Sequence, residues 1–287
     1  MTASVFVQLL IAGILQGGVY AMAAFGLSLI FGVSNVLNLA HGQFLMLGAL
    51  GVFFIFSLTQ LNPFLISILL VPLFFLVGSL FERGFIRRLM SRLPHEQVEA
   101  SILVTLGVAL AIQDITSFLC GSEDKGIAYF LPAIHVGDIY ISSVRLFGLV
   151  FIILLTGALH FYLKKTYLGK SIRAVTQNRR GASLVGINAS QVSTITFGIG
   201  TALASLAGVF YVILYTVSPE IGIPLTIKYL CVIVLGGLGS LYGTLVGGTI
   251  LGLTEVFTSY FSPHWGGTSA YLLLVIVLLI RPKGLFG

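Results

Sequence analysis

The chain has 287 residues, 57% of them hydrophobic and only 8% charged, with a mean hydropathy of +1.07; a soluble globular domain is about a quarter charged, so that class is excluded. The net charge of +6 does not point to nucleic acid, because the basic residues form no domain of their own and fall in loops beside apolar spans, where membrane topology accounts for them. The composition is that of an all-α, polytopic transmembrane helical bundle, and residues 1–287 read as a single transmembrane domain.

No charged residue precedes Glu82. Residues 1–81 are therefore one membrane-compatible tract, without the basic region that opens a cleaved signal peptide. Residues 5–31 suffice for a first span of about twenty residues. The stretch GVSNVLNLAHG at 32–42 then interrupts the apolar run with Asn35, Asn38 and His41. Two further spans follow at 44–58 and 64–81, separated by Asn62 and Pro63. The segment 82–99 carries four arginines and reads as cytoplasmic, and 101–119 returns across the membrane. Residues 121–145 hold Glu123, Asp124 and Asp138 with the turn formers Pro132 and Gly137, and read as the outer face.

A span at 146–163 leads into the basic loop 164–191, which holds six of the fifteen Lys and Arg. A span at 192–215 leaves it, and 218–228, with Pro219 and Pro224, reads as a short outer connection. The last third is punctuated by glycine: 229–235, GGLGS at 236–240, then 241–260, and a final span at 269–280 ending at Arg281 and Lys283. This gives about 8–9 spans. Nine with an outer N-terminus fit the charges, unless the segment before Gly236 is a re-entrant half-helix. Twelve Lys and Arg then lie inside and three, Lys125, Arg145 and Lys228, outside.

Polar or glycine-rich interruptions inside such a tract are informative, because non-helical backbone survives at membrane depth only if protein buries it or a wet cavity receives it. Two stand out: Asn38, His41, Gly42 and Gln43 in NLAHGQ, and Gly236, Gly237, Gly239 and Ser240 in LGGLGS. Broken segments in the two halves of a transporter mark its substrate pathway, and these residues are the pathway candidates. His41 reads either as a hydrogen-bonded helix-end residue or as part of that pathway. Gly239, Gly243 and Gly247, and Gly248 and Gly252, recur every four residues and allow close helix packing or pore lining. Glu255, the acid of the C-terminal span region, is a pathway candidate or a solvated residue near the outer interface.

Enzymatic signatures are lacking. The GKS at 169–171 has Lys164 where a phosphate loop requires glycine, and neither HExxH nor GxSxG occurs. Cys120 and Cys231 stand apart, with no metal spacing. The chain reads as a non-enzyme with no cofactor or metal of its own. In the basic loop, Gly181 and Gly186 bracket four residues that fit one helical turn; the arginines there also suit anionic membrane lipid.

Four blocks together, NLAHGQFLMLGAL (38–50), SIRAVTQNRRGASLVGINASQVSTITFGIGTALASLAGV (171–209), VLGGLGSLYGTLVGGTILG (234–252) and RPKGLFG (281–287), resemble the inner-membrane permeases of branched-chain amino acid ABC importers, in particular the shorter of their two permease types. Permeases of urea and amide importers are built on much the same blocks. The resemblance implies a location in the bacterial inner membrane and three kinds of partner: two ATP-binding subunits that bind the ATP, a second permease subunit, and an extracytoplasmic substrate-binding protein. It also implies that 164–191 is the coupling loop, with Ala182, Gly186, Ile187 and Asn188 at the positions that rest on the ATPase. Arg179 and Arg180 replace an acidic residue common just before that alanine. The competing class is a stand-alone, ion-coupled carrier working through Glu255, Asp114 or His41.

Overall fold

The computed structural model describes residues 2–89, 94–129, 131–136, 139–281 and 284–285. Arg92, Gly137, Asp138 and Lys283, together with part of the terminal RPKGLFG block, lie outside them. The described chain is almost wholly helical. In order the helices are α1 (Ala3–Ser34), α2 (His41–Thr59), α3 (Pro63–Phe81), α4 (Pro94–Cys120), α5 (Ser143–Lys165), α6 (Tyr167–Gln177), α7 (Arg179–Leu184), α8 (Ala189–Leu214), α9 (Gly222–Gly236), α10 (Leu241–Phe261) and α11 (Gly266–Ile280). Among the described residues nine helical segments are long and apolar enough to cross a membrane, in agreement with the nine-span reading.

The helix starts are written locally. Asn62, Thr166, Asn178, Asn188 and Ser240 each accept a hydrogen bond from a backbone N–H of the first turn that follows, satisfying donors that a helix end otherwise leaves open. At the other ends, Asn35 and Gln60 take left-handed φ of 51° and 54° and close α1 and α2.

Helix α1 is the axis of the bundle: α10, α8, α5 and α9 all pack on it, and α2 and α3 pack in turn on α8. Helices α4, α5 and α11 stand at the periphery and leave Leu103, Phe118, Leu154, Phe161, Ile276 and Leu279 exposed, an apolar surface suited to lipid and not to water. Small residues bring α1 and α10 together. A Cβ on Gly17 would lie 2.5 Å from the Thr249 Cα, and one on Gly252 2.4 Å from the Gly17 nitrogen. The glycine stripe is thus a packing face.

One expectation is corrected, and two segments carry more structure than their sequence shows. The segment 218–228 is not an outer connection: a 3-10 turn Pro219–Ile221 runs straight into α9. Proline is tolerated in a first helical turn, where its missing N–H has no intrahelical partner to lose, so Pro219 and Pro224 start this span. Lys228 consequently lies inside it. The basic loop contains α6 as well as α7, and α7 begins at Arg179, ahead of the helical turn expected between Gly181 and Gly186. The segment 121–145, expected at the outer face, includes a short antiparallel strand pair, β1 (Ile134–Val136) with β2 (Ile139–Ile141).

Candidate functional site

Three places in this frame carry polar chemistry. The first is the break between α1 and α2. After Asn35 the chain turns back into the bundle, so that His41 Nε2 meets the carbonyl of Ala23 at 3.0 Å. Ala23 precedes the end of α1 by three turns, which places the start of α2 about 16 Å back along α1. Backbone at that depth needs partners, and two threonines from neighbouring helices supply them. Thr105 of α4 accepts from Leu39 N–H and donates within reach of the Leu37 carbonyl; Thr226 of α9 accepts from Gly42 N–H and lies 3.1 Å from the Leu39 carbonyl.

The starts of α2 and α9 touch at glycine. A Cβ on Gly42 would meet the Gly222 carbonyl at 2.0 Å, and one on Gly222 would meet the Gln43 amide carbon at 2.4 Å. Asn38, His41 and Gln43 are fully buried at this joint. The His41 Nδ1, the Asn38 Nδ2 and both amide atoms of Gln43 have no hydrogen-bond partner among the described residues. Buried polar atoms left open in this way cost about 1–3 kcal/mol each, so the joint holds a concentration of unspent hydrogen-bonding capacity.

The second interruption is not brought to the first. Gly236 to Ser240 lie at the far end of α9, about 20 Å from Gly222 by helix rise, and form a tight turn with Gly237 at φ 96° and Gly239 at φ 81°. Gly236 stacks on Gly243, Gly239 rests on Gly32 of α1, and Ser240 caps α10. The N–H of Leu285 closes the last turn of α9 by donating to the Leu235 carbonyl at 2.9 Å.

Glu255 is neither isolated nor in open solvent. Lys228 reaches its two carboxylate oxygens at 3.1 and 3.3 Å and the Tyr20 hydroxyl at 3.3 Å. Nearby, the Tyr215 hydroxyl donates to Gln16 at 2.6 Å and accepts from Arg145 at 3.4 Å. Lys228 also lines a pocket of about 560 Å³ with Tyr211, Glu220, His264 and Tyr271, open at the end of the bundle opposite the basic loop. Lys228 and Glu255 are each under one-fifth exposed, and stripping one partner from such a pair leaves an uncompensated charge. Lys228→Met is therefore expected to destabilise the protein by about 3 kcal/mol, and Lys228→Met with Glu255→Gln by much less; thermal unfolding in detergent, wild type against both variants, checks this.

The third place is the basic end. Helix α7 is one and a half turns long, opened by Asn178, whose side chain accepts from Gly181 N–H at 2.9 Å. Ala182 anchors it, buried in a small core with Val33 of α1, Ile172 and Val175 of α6, and Ala189 and Val192 of α8; Ile187 packs on this core. Gly186 takes φ +82°, with nothing near the position of a Cβ, and exposed Asn188 caps α8. Between Ala182 and Gly186, Leu184 and Val185 are 89% and 76% exposed. Arg180 is exposed, whereas Arg179 is partly buried, and that burial draws its guanidinium pKa down while Glu82 opposes the shift. Glu82, fully buried, accepts from Thr194 of α8 at 2.6 Å and from Arg87 at 3.3 Å, tying the end of α3 to the start of α8.

The structure thus places Arg179, Arg180, Ala182, Gly186, Ile187 and Asn188 together on one platform, and Asn38, His41, Gly42 and Gln43 together at one joint, with Glu255 in a separate ion pair. Sequence reading missed Thr105, Thr226, Gly222, Lys228, Leu184 and Val185. For the last two a signal existed: two large apolar residues between Ala182 and Gly186 in a segment otherwise polar and basic.

Among the described residues nine candidate spans surround the break between α1 and α2, and a short exposed helix stands at the basic end; the sequence comparisons place this body among transport permeases. The chain belongs to the family described as branched-chain amino acid transport system, permease component, whose model matches residues 9–280. It is similar to the high-affinity branched-chain amino acid transport system permease protein LivH of Salmonella typhimurium, 30% identical over 98% of this chain and 96% of the relative. It is likewise similar to BraD of Pseudomonas aeruginosa, a permease protein of the same kind of system, at 28% over 98% and 96%. A shorter likeness, 34% over 39% of this chain and 35% of the relative, links it to the ribose import permease RbsC of Escherichia coli. No solved structure matches the chain. The family is one of transporter permeases and not of enzymes, and the chain is a multi-pass membrane protein.

Proposed function

We propose that this chain is one permease subunit of an ATP-driven importer for branched-chain amino acids, with its basic end in the cytoplasm. The observation that carries the coupling half of this reading is the pair Leu184 and Val185, held out at the end of α7 and largely exposed among the described residues. An exposed apolar pair on a short helix fixed to the body by Ala182 is built to enter a groove on a partner. The small core beneath it joins α1, α6 and α8, so a push on α7 is delivered to the helices that pack around the axis. ATP binding on partner ATPases then supplies the differential binding energy that shifts the body between outward-open and inward-open states.

Conduction is assigned to the joint of α2 and α9. Its unspent polar atoms on Asn38, His41 and Gln43, beside the helix starts at Gly42 and Gly222, suit a polar substrate passing when the joint opens, with contacts weak enough to release it. The ATPases, a second permease subunit and an extracytoplasmic binding protein complete the assembly, and selectivity is shared with those subunits. Against an ion-coupled carrier stands Glu255, whose carboxylate is engaged on both oxygens by Lys228.

Co-purification from the native membrane in mild detergent tests the reading. Wild type is expected to bring two ATPase chains and a second permease, and Gly186→Arg to lose the ATPases. A chain that purifies alone and transports leucine into liposomes without ATP would overturn it.

A further inference from the structure

At the basic end lies a second pocket, about 270 Å³, which neither the joint nor the exposed pair uses. It is enclosed by α1, α5, α6 and the turn into α10, and its walls include Ser28, Val33, His160, Arg173, Gln177 and Tyr242. The interior is mainly apolar, and the cation at its edge is Arg173. Arg173 is exposed and makes no ion pair among the described residues. The whole loop 164–191 contains six Lys and Arg and no Asp or Glu, so its local field favours an anion. Ser28, fully buried in the wall, has a hydroxyl without a hydrogen-bond partner among the described residues, and the imidazole of His160 stands 5.3 Å from the Tyr242 ring.

The surroundings identify the kind of anion. Phe161 on α5 and Tyr242 on α10 are 64% and 54% exposed. Both belong to spans whose outer faces are apolar, so the pocket sits beside lipid-facing surface. Helix α6 turns Gly169, Ile172 and Val175 inward and leaves Tyr167, Lys170 and Arg173 exposed, the pattern of a helix lying in the interfacial plane. A ligand with a negatively charged head and an apolar tail satisfies both halves of this environment; a soluble anion satisfies one.

We propose that the pocket between α1, α5 and α6 binds the phosphate headgroup of an anionic inner-leaflet phospholipid, held by Arg173 and flanked by His160 and Gln177, with the acyl chains along Phe161 and Tyr242. A planar guanidinium is matched to phosphate oxygens, and basic pockets between helices on the cytoplasmic side are suited to such headgroups. The leaflet rests on the orientation adopted under the proposed function; the chemistry does not. Occupancy has a structural consequence, because Ile172 and Val175 of α6 share the small core that seats Ala182. The lipid would brace the platform that carries α7.

Native mass spectrometry of the purified full chain, with added phosphatidylglycerol or phosphatidylcholine, tests this without any transport assay. Wild type is expected to retain one phosphatidylglycerol and to release phosphatidylcholine. Arg173→Gln should retain roughly fivefold to tenfold less, the loss of about 1 kcal/mol or slightly more, and His160→Gln should fall between the two. Lys170→Gln, on the same helix but outside the pocket, should match wild type. Equal loss in Lys170→Gln would mean diffuse attraction and overturn the site, as would equal retention of phosphatidylcholine. Millimolar inorganic phosphate displacing the lipid and raising the unfolding temperature as much as phosphatidylglycerol does would assign the pocket to a soluble anion instead. These outcomes stand apart from the importer reading, which fails or holds on ATP dependence and subunit recovery.

Discussion

Leu184→Asp combined with Val185→Asp is expected to abolish ATP-driven uptake by the assembled importer while leaving this chain folded. Both side chains are largely exposed, so replacing them removes little native packing. Under the proposed coupling role, burial of each against the partner contributes about 2 kcal/mol, and a carboxylate forced into an apolar groove adds a desolvation penalty. The combined loss lowers affinity for the ATPases by on the order of a thousandfold or more. Recovery of ATPase chains with the tagged permease, and leucine uptake into proteoliposomes supplied with ATP, are the readouts, and circular dichroism confirms that the helices persist. Uptake that survives the double substitution would move the coupling contact elsewhere, with exposed Arg180 the next place to look.

Gly252→Leu is expected to do the opposite: to remove the folded protein altogether. The position faces backbone on two sides, with a Cβ 2.4 Å from the Gly17 nitrogen and 2.5 Å from the Gly13 carbonyl oxygen. No flexible side chain stands there to give way, so α1 and α10 must separate. Tight packing between small residues is a main source of helix association in lipid, and overpacking it costs several kcal/mol, comparable with the whole stability of many proteins. Size-exclusion chromatography of detergent extracts should show aggregate in place of the wild-type peak. Gly157→Leu on α5, where a Cβ would meet nothing within 4 Å, is the matched control and should elute as wild type.

Much of this body was legible from residues alone. Length and apolarity marked the spans because lipid forces every crossing segment into a run of uniform character, and the breaks at NLAHGQ and GGLGS were visible as departures from it. The start of α9 is hidden because Pro219 and Pro224 resemble turn formers until their place in a first turn is known, and Lys228 resembles a loop residue for the same reason. Thr105 and Thr226 were hidden more deeply. A threonine inside an apolar helix ordinarily bonds the carbonyl four residues back, as both do here, and nothing local shows that it also serves backbone from another helix. The glycine stripe on α10 announced a close neighbour, but the identity of that neighbour, α1, is information carried by topology. The proposed coupling platform is visible at Ala182 and Gly186 only through a resemblance of motif; the exposed pair between them follows from the three-dimensional seat of Ala182.

The pairing of α1 with α10 also sets a timetable for biogenesis. Helix α1 finds its most intimate partner only when the chain has been translated to the end of α10 at Phe261, roughly 10–50 s later at about 5–20 residues per second. Until then α1 waits in the bilayer with Gly13 and Gly17 uncovered, tolerable because it carries no charge, yet open to association with other nascent helices. Ribosomes stalled before α10 would thus leave the axis inserted with its closest-packed face uncovered, a natural substrate for membrane proteases, and cellular abundance of this permease should depend steeply on completion of α10.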